Sequence, residues 1–162
     1  MTPAETAQAL AGLLQREAAL AEQMLETLER ERRALKDQDF EALEGAAEAK
    51  LERHRDWEKL DRERRSLLCA AGFAPDRDGL AACIASCDSR GRLTQAWETV
   101  SRLLEDCRRL NRANGLAVDL CRRQVDDILA ALRGGPATAG APLYDANGGT
   151  HTEDRGHSLG SA

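Results

Sequence analysis

The feature that most constrains the fold is a run of mostly apolar residues that recurs at alternating intervals of four and three from Leu93 to Leu132. Its members are Leu93, Trp97, Val100, Leu104, Cys107, Asn111, Asn114, Val118, Cys121, Val125, Ile128 and Leu132. This spacing places them on one face of an α-helix that packs lengthwise on partners, as in a coiled coil. At about 1.5 Å per residue such a helix is about 60 Å long. No small globular core is that deep, so the pattern predicts an elongated bundle.

Two earlier segments carry the same spacing and predict two more long helices. The first, over residues 3–36, has Thr2 as N-cap, Pro3 in its first position and Glu5 placed to complete a capping box. The second, over residues 39–71, follows a polar break capped by Asp39 or Asp37. Gly72 stands where a left-handed C-terminal cap belongs. So short a break predicts an antiparallel helical hairpin.

The inward faces of these two helices follow from the same spacing. The residues assigned to the inward face of the first helix are Leu14, Ala18, Ala21, Leu25, Leu28, Arg32 and Leu35. Those assigned to the inward face of the second are Leu43, Ala47, Leu51, His54, Trp57, Leu60, Arg64, Leu67 and Ala71. Glu17 falls on the opposite face and is expected in solvent. His54 is interpreted as a packed structural histidine. A short helix is predicted over residues 79–87, with Asp78 as its N-cap. The last helix is predicted over residues 92–133.

The fold class predicted is therefore all-α, an elongated antiparallel helical bundle or coiled coil of three long helices in residues 1–133. Residues 134–162 hold seven of the thirteen glycines and few sizeable apolar side chains. They can bury too little apolar surface to offset chain entropy, which predicts a disordered Gly-rich tail. Whether the chain is a monomer or a second copy completes the bundle as a homodimer stays open.

Composition and charge exclude several function classes. The net charge is −5, without the basic body that a nucleic-acid binder needs. No stretch approaches the roughly 18 apolar residues of a membrane span, and the N-terminus lacks a secretory signal. We therefore expect a cytoplasmic protein that neither binds nucleic acid nor inserts into membranes.

The chain carries five cysteines, an odd number that predicts reduced thiols. Cys69, Cys83 and Cys87 could in principle hold zinc, with His54 an alternative ligand, but no paired Cys-x-x-Cys spacing supports a metal site. Catalytic motifs are also missing from the sequence. The sequence therefore predicts no enzyme, no catalytic residue, no cofactor and no metal.

Three features of the last helix and the tail invite a functional interpretation. Asn111 and Asn114 occupy consecutive positions of the apolar run, where buried asparagine fixes register or marks a bend. Leu116 and Leu120 form a second apolar stripe on the back of the helix, either packed within the bundle or available to a partner helix. Tyr144 in the tail is either incidental or the anchor of a short binding motif.

Together these features resemble the FlgN family of flagellar export chaperones. The resemblance is carried by the turn at Leu35–Leu43, the helix from Lys50 to Leu68, the Asn-x-x-Asn-Gly segment in Leu110–Gly115, and a tail with Leu143–Asp145 and Ser158–Gly160. It covers nearly the whole chain. Cys83, Cys87, Cys107 and Cys121 are not part of the family's pattern, and His157 stands where a basic residue is common.

The resemblance implies a cytosolic chaperone of the flagellar type III secretion system. Such proteins bind the C-terminal segments of hook–filament junction proteins, prevent premature assembly and deliver them to the export gate. By position, the residues implied in client binding are Asn111, Asn114, Leu116, Leu120, Val125, Ile128 and Leu132. Tyr144 is implied in docking on the cytosolic domain of the gate protein FlhA. The alternative is a structural coiled-coil adaptor with no export role, which predicts that Leu116 and Leu120 are buried in the free protein.

Overall fold

The computed structural model describes residues 1–133, and the predicted tail lies outside them. The described residues confirm the all-α prediction, with four helices and no strand. These are α1 (Pro3–Asp37), α2 (Phe40–Ala70), α3 (Arg77–Cys87) and α4 (Arg92–Leu132). A description as three long helices is incomplete, because the short α3 connects α2 to α4. None of the helices in residues 1–133 is both long and apolar enough to cross a membrane.

The chain divides into two units. Met1–Cys121 forms one compact unit, which holds α1, α2, α3 and most of α4. The second begins at Arg122, and its described part, residues 122–133, is the end of α4 with every residue exposed.

The helix ends follow from local chemistry that the sequence displays. At α1 the Glu5 N–H donates to Thr2 Oγ1 at 3.3 Å and the Thr2 N–H donates to Glu5 Oε2 at 2.8 Å, so the predicted capping box is confirmed. Asp39 caps α2 by accepting the Ala42 N–H at 3.0 Å. Gly72 has a φ of +85°, the left-handed conformation that glycine adopts without steric cost.

The start of α3 differs from the prediction, whereas its last residue, Cys87, agrees with it. Its N-cap is Asp76, whose Oδ1 accepts the Gly79 N–H at 2.8 Å, and not Asp78, which lies in the first turn. Beyond the C-terminus, Asp88 Oδ2 accepts the N–H and the hydroxyl of Thr94 at 2.8 and 2.7 Å. The backbone hydrogen bond from Thr94 lowers the pKa of Asp88 to about 2. Asp88 thus caps the start of α4.

Side-chain contacts fix the directions of the long helices. Arg16 pairs with Glu63 and Glu31 with Lys50, so α2 runs antiparallel to α1. Cys107 Sγ contacts the Ala21 carbonyl at 3.4 Å, and Asn114 contacts the Leu28 carbonyl. Residue numbers rise together in these two contacts, so α1 and α4 are parallel and α2 is antiparallel to both.

The main apolar cluster draws on all four helices near the start of α1. It contains Leu10, Leu14, Leu68, Leu80, Cys83, Ile84, Leu93 and Val100. Trp57, Trp97 and Leu104 pack against it and are half-buried. The first turns of the Leu93–Leu132 run are therefore buried as predicted.

The inward face of α1 contains charges that the sequence analysis placed in solvent. Glu17 is fully buried and its Oε1 accepts a 2.5 Å hydrogen bond from Arg64, whose side chain is 17% exposed. Glu17 Oε2 has no hydrogen-bond partner among the described residues. Burial raises the pKa of Glu17, and the Arg64 guanidinium only partly offsets this. Further along α1, Glu31 is buried while Arg32, predicted inward, is exposed.

Candidate protein-binding surfaces

After Asn114, the large apolar side chains of α4 are exposed to solvent in the described residues. In the first unit Leu116 and Leu120, the back stripe, are 67% and 61% exposed, and Val118 is 42% exposed. Exposed leucines on a helix are ordinary singly, but two at an i, i+4 spacing form a surface that a partner helix can cover. This exposure is what the chaperone hypothesis predicts, and it is opposite to what the adaptor hypothesis predicts for the free protein.

The second unit also exposes apolar side chains. Val125, Ile128 and Leu132 are 54%, 60% and 78% exposed, and Leu129 is exposed as well. The sequence pattern assigned the first three to a packed face. Within residues 122–133 that face is exposed.

The two asparagines of the Asn-x-x-Asn-Gly segment have different environments. Asn114 is buried, and its Nδ2 donates to the Leu28 carbonyl at 2.9 Å and to Glu31 Oε2 at 2.8 Å. Lys50 Nζ donates to Glu31 Oε1 at 2.6 Å and to Asn111 Oδ1 at 3.4 Å. These four side chains link α1, α2 and α4 in a polar cluster.

This polar cluster supports the interpretation that Asn114 fixes the register of α4 on α1, because a slip would leave its amide unpaired in the interior. Asn114 is 2% exposed, so another protein could contact it only after a local rearrangement. Asn111 is exposed and needs no such change.

A groove of about 610 Å³ lies between α2 and α4, with α1 beneath it. Its lining residues are Leu20, Ala21, Met24 and Leu28 from α1, Lys50, Leu51, His54 and Trp57 from α2, and Leu104, Cys107, Arg108 and Asn111 from α4. The α1 residues are mostly buried and form the floor, whereas Leu51 on the α2 wall is 59% exposed. The surface is therefore apolar at its base and open above.

Sequence reasoning missed this groove because it assigned the α2 wall to the core. His54 was expected to be packed, yet its side chain is 70% exposed and lies 3.6 Å from Glu58 Oε1. The available signal was the composition of the α2 face. Ala47 and His54 offer too little apolar surface to close that stretch of α2 against α4.

The cysteines do not form a metal site in residues 1–133, where no three His, Cys, Asp or Glu side chains come together. Cys69 is exposed and Cys83 is buried. Burial raises the pKa of the Cys83 thiol to about 11, with a further contribution from Cys87. A thiol held protonated in this way is a poor metal ligand.

Tyr144, the predicted gate-docking residue, lies outside the described residues. A family model described as "FlgN protein" matches residues 1–152. No curated protein and no solved structure matches the chain.

Proposed function

Because the chain belongs to the FlgN family of flagellar export chaperones, we propose that it binds the C-terminal segments of hook–filament junction proteins in the cytoplasm. It keeps them unassembled and delivers them to the export gate. The observation that carries this proposal is the exposure of Leu116 and Leu120 on α4. The proposal requires neither a cofactor nor catalysis.

The geometry suits an amphipathic client segment. Leu116 and Leu120 are one helical turn apart on the same side of α4, so they can anchor the apolar side of a helix that lies across them. In the second unit, Val125, Ile128 and Leu132 offer the same chemistry and are proposed as further client contacts. Asn111 is proposed as an exposed polar contact, and Asn114 as the residue that holds α4 in place beneath the client.

The test is calorimetric titration with a peptide from the C-terminus of the same organism's junction protein. We expect binding at micromolar concentration or tighter. The double variant Leu116→Asp, Leu120→Asp should weaken it about 100-fold or more, since each leucine buried in a complex contributes about 1.5–3 kcal/mol and about 1.4 kcal/mol is a factor of ten.

The matched control is Phe40→Asp, which also replaces a large exposed apolar side chain by aspartate. Phe40 is 79% exposed in the first turn of α2, where an acidic residue is tolerated. Client binding should be unchanged in this variant. If the wild-type protein is folded and gives no binding heat, the coiled-coil adaptor becomes the better explanation.

The second part of the proposal assigns Tyr144 to docking on the cytosolic domain of FlhA. Its support is the family resemblance, together with the fact that Tyr144 is the chain's one tyrosine. Tyr144→Ala should leave client binding intact and weaken binding to the gate domain about tenfold, because an aromatic anchor contributes much of the affinity of a short motif. Tyr144→Phe is the control for the hydroxyl. Equal gate binding by wild type and Tyr144→Ala would exclude this role.

A further inference from the structure

The groove between α2 and α4 is separate from the Leu116–Leu120 stripe and has features of a second binding surface. Its floor consists of the buried Leu20, Ala21 and Leu28 with the half-buried Met24, and its α2 wall includes the half-buried Trp57. Methionine and tryptophan adapt to apolar side chains of different shapes. The groove therefore offers an adaptable apolar base.

The size of the groove fits a short stretch of helix. Its floor runs from Leu20 to Leu28 on α1, about 12 Å at the rise of an α-helix. That length covers about two turns, enough for apolar side chains at positions i, i+4 and i+7 of a bound helix. The volume of about 610 Å³ lies within the range of sites that enclose ligands.

The charges at the rim indicate the chemistry of the occupant. Lys50, His54 and Arg108 line the groove, and no carboxylate does, although the whole chain has a net charge of −5. Each of these basic side chains has a carboxylate partner that does not line the groove. Glu31 holds Lys50 at 2.6 Å, while Glu105 lies 3.5 Å from Arg108 and Glu58 lies 3.6 Å from His54. A partner with acidic residues beside its apolar ones complements this rim.

The sequence pattern itself indicates that this face is built to be covered. Leu51 and His54 fall on the inward line of α2, yet in the folded chain both remain exposed and line the groove. Leu51 keeps more than half of its surface in water. An apolar line that the described helices leave uncovered gains stability when another helix covers it.

We propose that the α2–α4 groove is a docking surface for an amphipathic helix of a partner protein that carries acidic residues beside its apolar face. Leu51, Trp57 and Met24 contact the apolar side chains, and Arg108 and Lys50 attract the flanking carboxylates. This surface acts independently of the Leu116–Leu120 stripe.

The test uses the full-length chain with Trp97→Phe, so that Trp57 is the one tryptophan that reports by fluorescence. The probe is a designed 18-residue amphipathic peptide with a glutamate-rich polar face, compared with a second peptide that has the same leucines and lysine in place of glutamate. We expect the acidic peptide to shift the Trp57 emission and to bind about tenfold more tightly than the basic one.

Two pairs of variants separate the groove from the rest of the surface. Leu51→Asp and Arg108→Glu should each weaken binding of the acidic peptide about tenfold. Phe40→Asp and Arg109→Glu are their matched controls, since Arg109 neighbours Arg108 on α4 but does not line the groove. The two controls should bind the acidic peptide as tightly as the Trp97→Phe parent does. The double variant Leu116→Asp, Leu120→Asp should also bind it as tightly, and that result would separate the groove proposal from the client-binding proposal.

Three kinds of result would overturn the proposal. The first is equal binding of the two peptides, or binding that Leu51→Asp leaves unchanged. The second is displacement of the acidic peptide by an equal concentration of a synthetic peptide of residues 134–162, which would identify the chain's own C-terminal segment as the occupant. The third is self-association of the protein that is lost in Leu51→Asp, which would identify a second copy.

Discussion

Replacing Arg64 by methionine should lower the free energy of unfolding by about 3–5 kcal/mol at neutral pH. Arg64 is the ion-pair partner of Glu17, which is fully buried, and the variant removes the positive charge that is hydrogen-bonded to that carboxylate. The measurement is urea unfolding followed by circular dichroism. Arg16→Met is the matched control, because it also breaks a direct ion pair. The partner of Arg16 is Glu63, and both side chains are about half exposed. We expect that control to cost less than about 1 kcal/mol.

The same variant should depend on pH in a defined direction. Burial already raises the pKa of Glu17, and loss of Arg64 removes the interaction that opposes this rise. A carboxyl whose folded pKa lies above its unfolded value contributes stability below the unfolded pKa and loses it as pH rises through the folded pKa. The cost of Arg64→Met should therefore be smaller near pH 4.5 than at pH 7. A cost that is the same at both values would contradict the assignment of Glu17 as the stranded charge.

The double variant Glu17→Met, Arg64→Met completes the test. Well-packed apolar side chains often replace a buried ion pair at little cost. Much of the stability lost in Arg64→Met should therefore return when Glu17 is replaced as well. If it does not, the loss in the single variant comes from packing of the arginine stem, or from its second hydrogen bond to Asp61, rather than from the stranded carboxylate.

Replacing Gly79 by alanine should cost about 3 kcal/mol, a loss at the upper end of overpacking effects. A Cβ atom at this position would lie 1.9 Å from the Ala74 carbonyl oxygen and under 3 Å from two further backbone atoms of that residue. Backbone cannot rotate away as a side chain can. Relief of the clash must displace α3, which places Leu80, Cys83 and Ile84 in the apolar cluster.

The control for this variant is the same substitution at Gly12. That glycine lies within α1, and a Cβ there meets nothing within 4 Å. Gly12→Ala should stabilise the protein by about 0.5–1 kcal/mol, because alanine loses less backbone entropy in a helix. Thermal and urea unfolding of the two variants measure this difference. Similar stabilities for Gly79→Ala and Gly12→Ala would show that α3 can move without cost.

Features set by neighbouring residues were predictable from the sequence. Thr2 with Glu5, Asp39 and Gly72 act through hydrogen bonds and backbone angles within a few residues, so each cap follows from local spacing. The all-helical class follows from the same kind of signal, since the four-three alternation has a single structural meaning over many turns. Asp76 shows the limit, because two aspartates at nearby positions could both cap α3.

Features set by distant partners were not predictable. Glu17 is buried because Arg64, 47 residues away, supplies its counter-charge, and no local pattern shows that pairing. Glu31 takes the inward place expected for Arg32 because Lys50 and Asn114 meet it there. The groove was predictable only in part, because the composition of the α2 face was a local signal but the closure of that face is not a local property. Whether α2 closes against α4 depends on how both helices pack on α1. The periodicity of a single helix contains no information about that packing.

The apolar cluster lies at one end of the first unit, and we expect that end to open less readily than the other. It lies where α1 begins, whereas the offset of 86 residues between the contacts of α4 and α1 places Leu116 and Leu120 beside residues 30–34 of α1. Local opening costs least where few apolar contacts must be broken. We therefore expect the end of the unit that presents these two leucines to open locally while the apolar cluster at the other end stays intact. The proposed capture of a client helix at these two leucines would therefore leave the apolar cluster at the other end undisturbed.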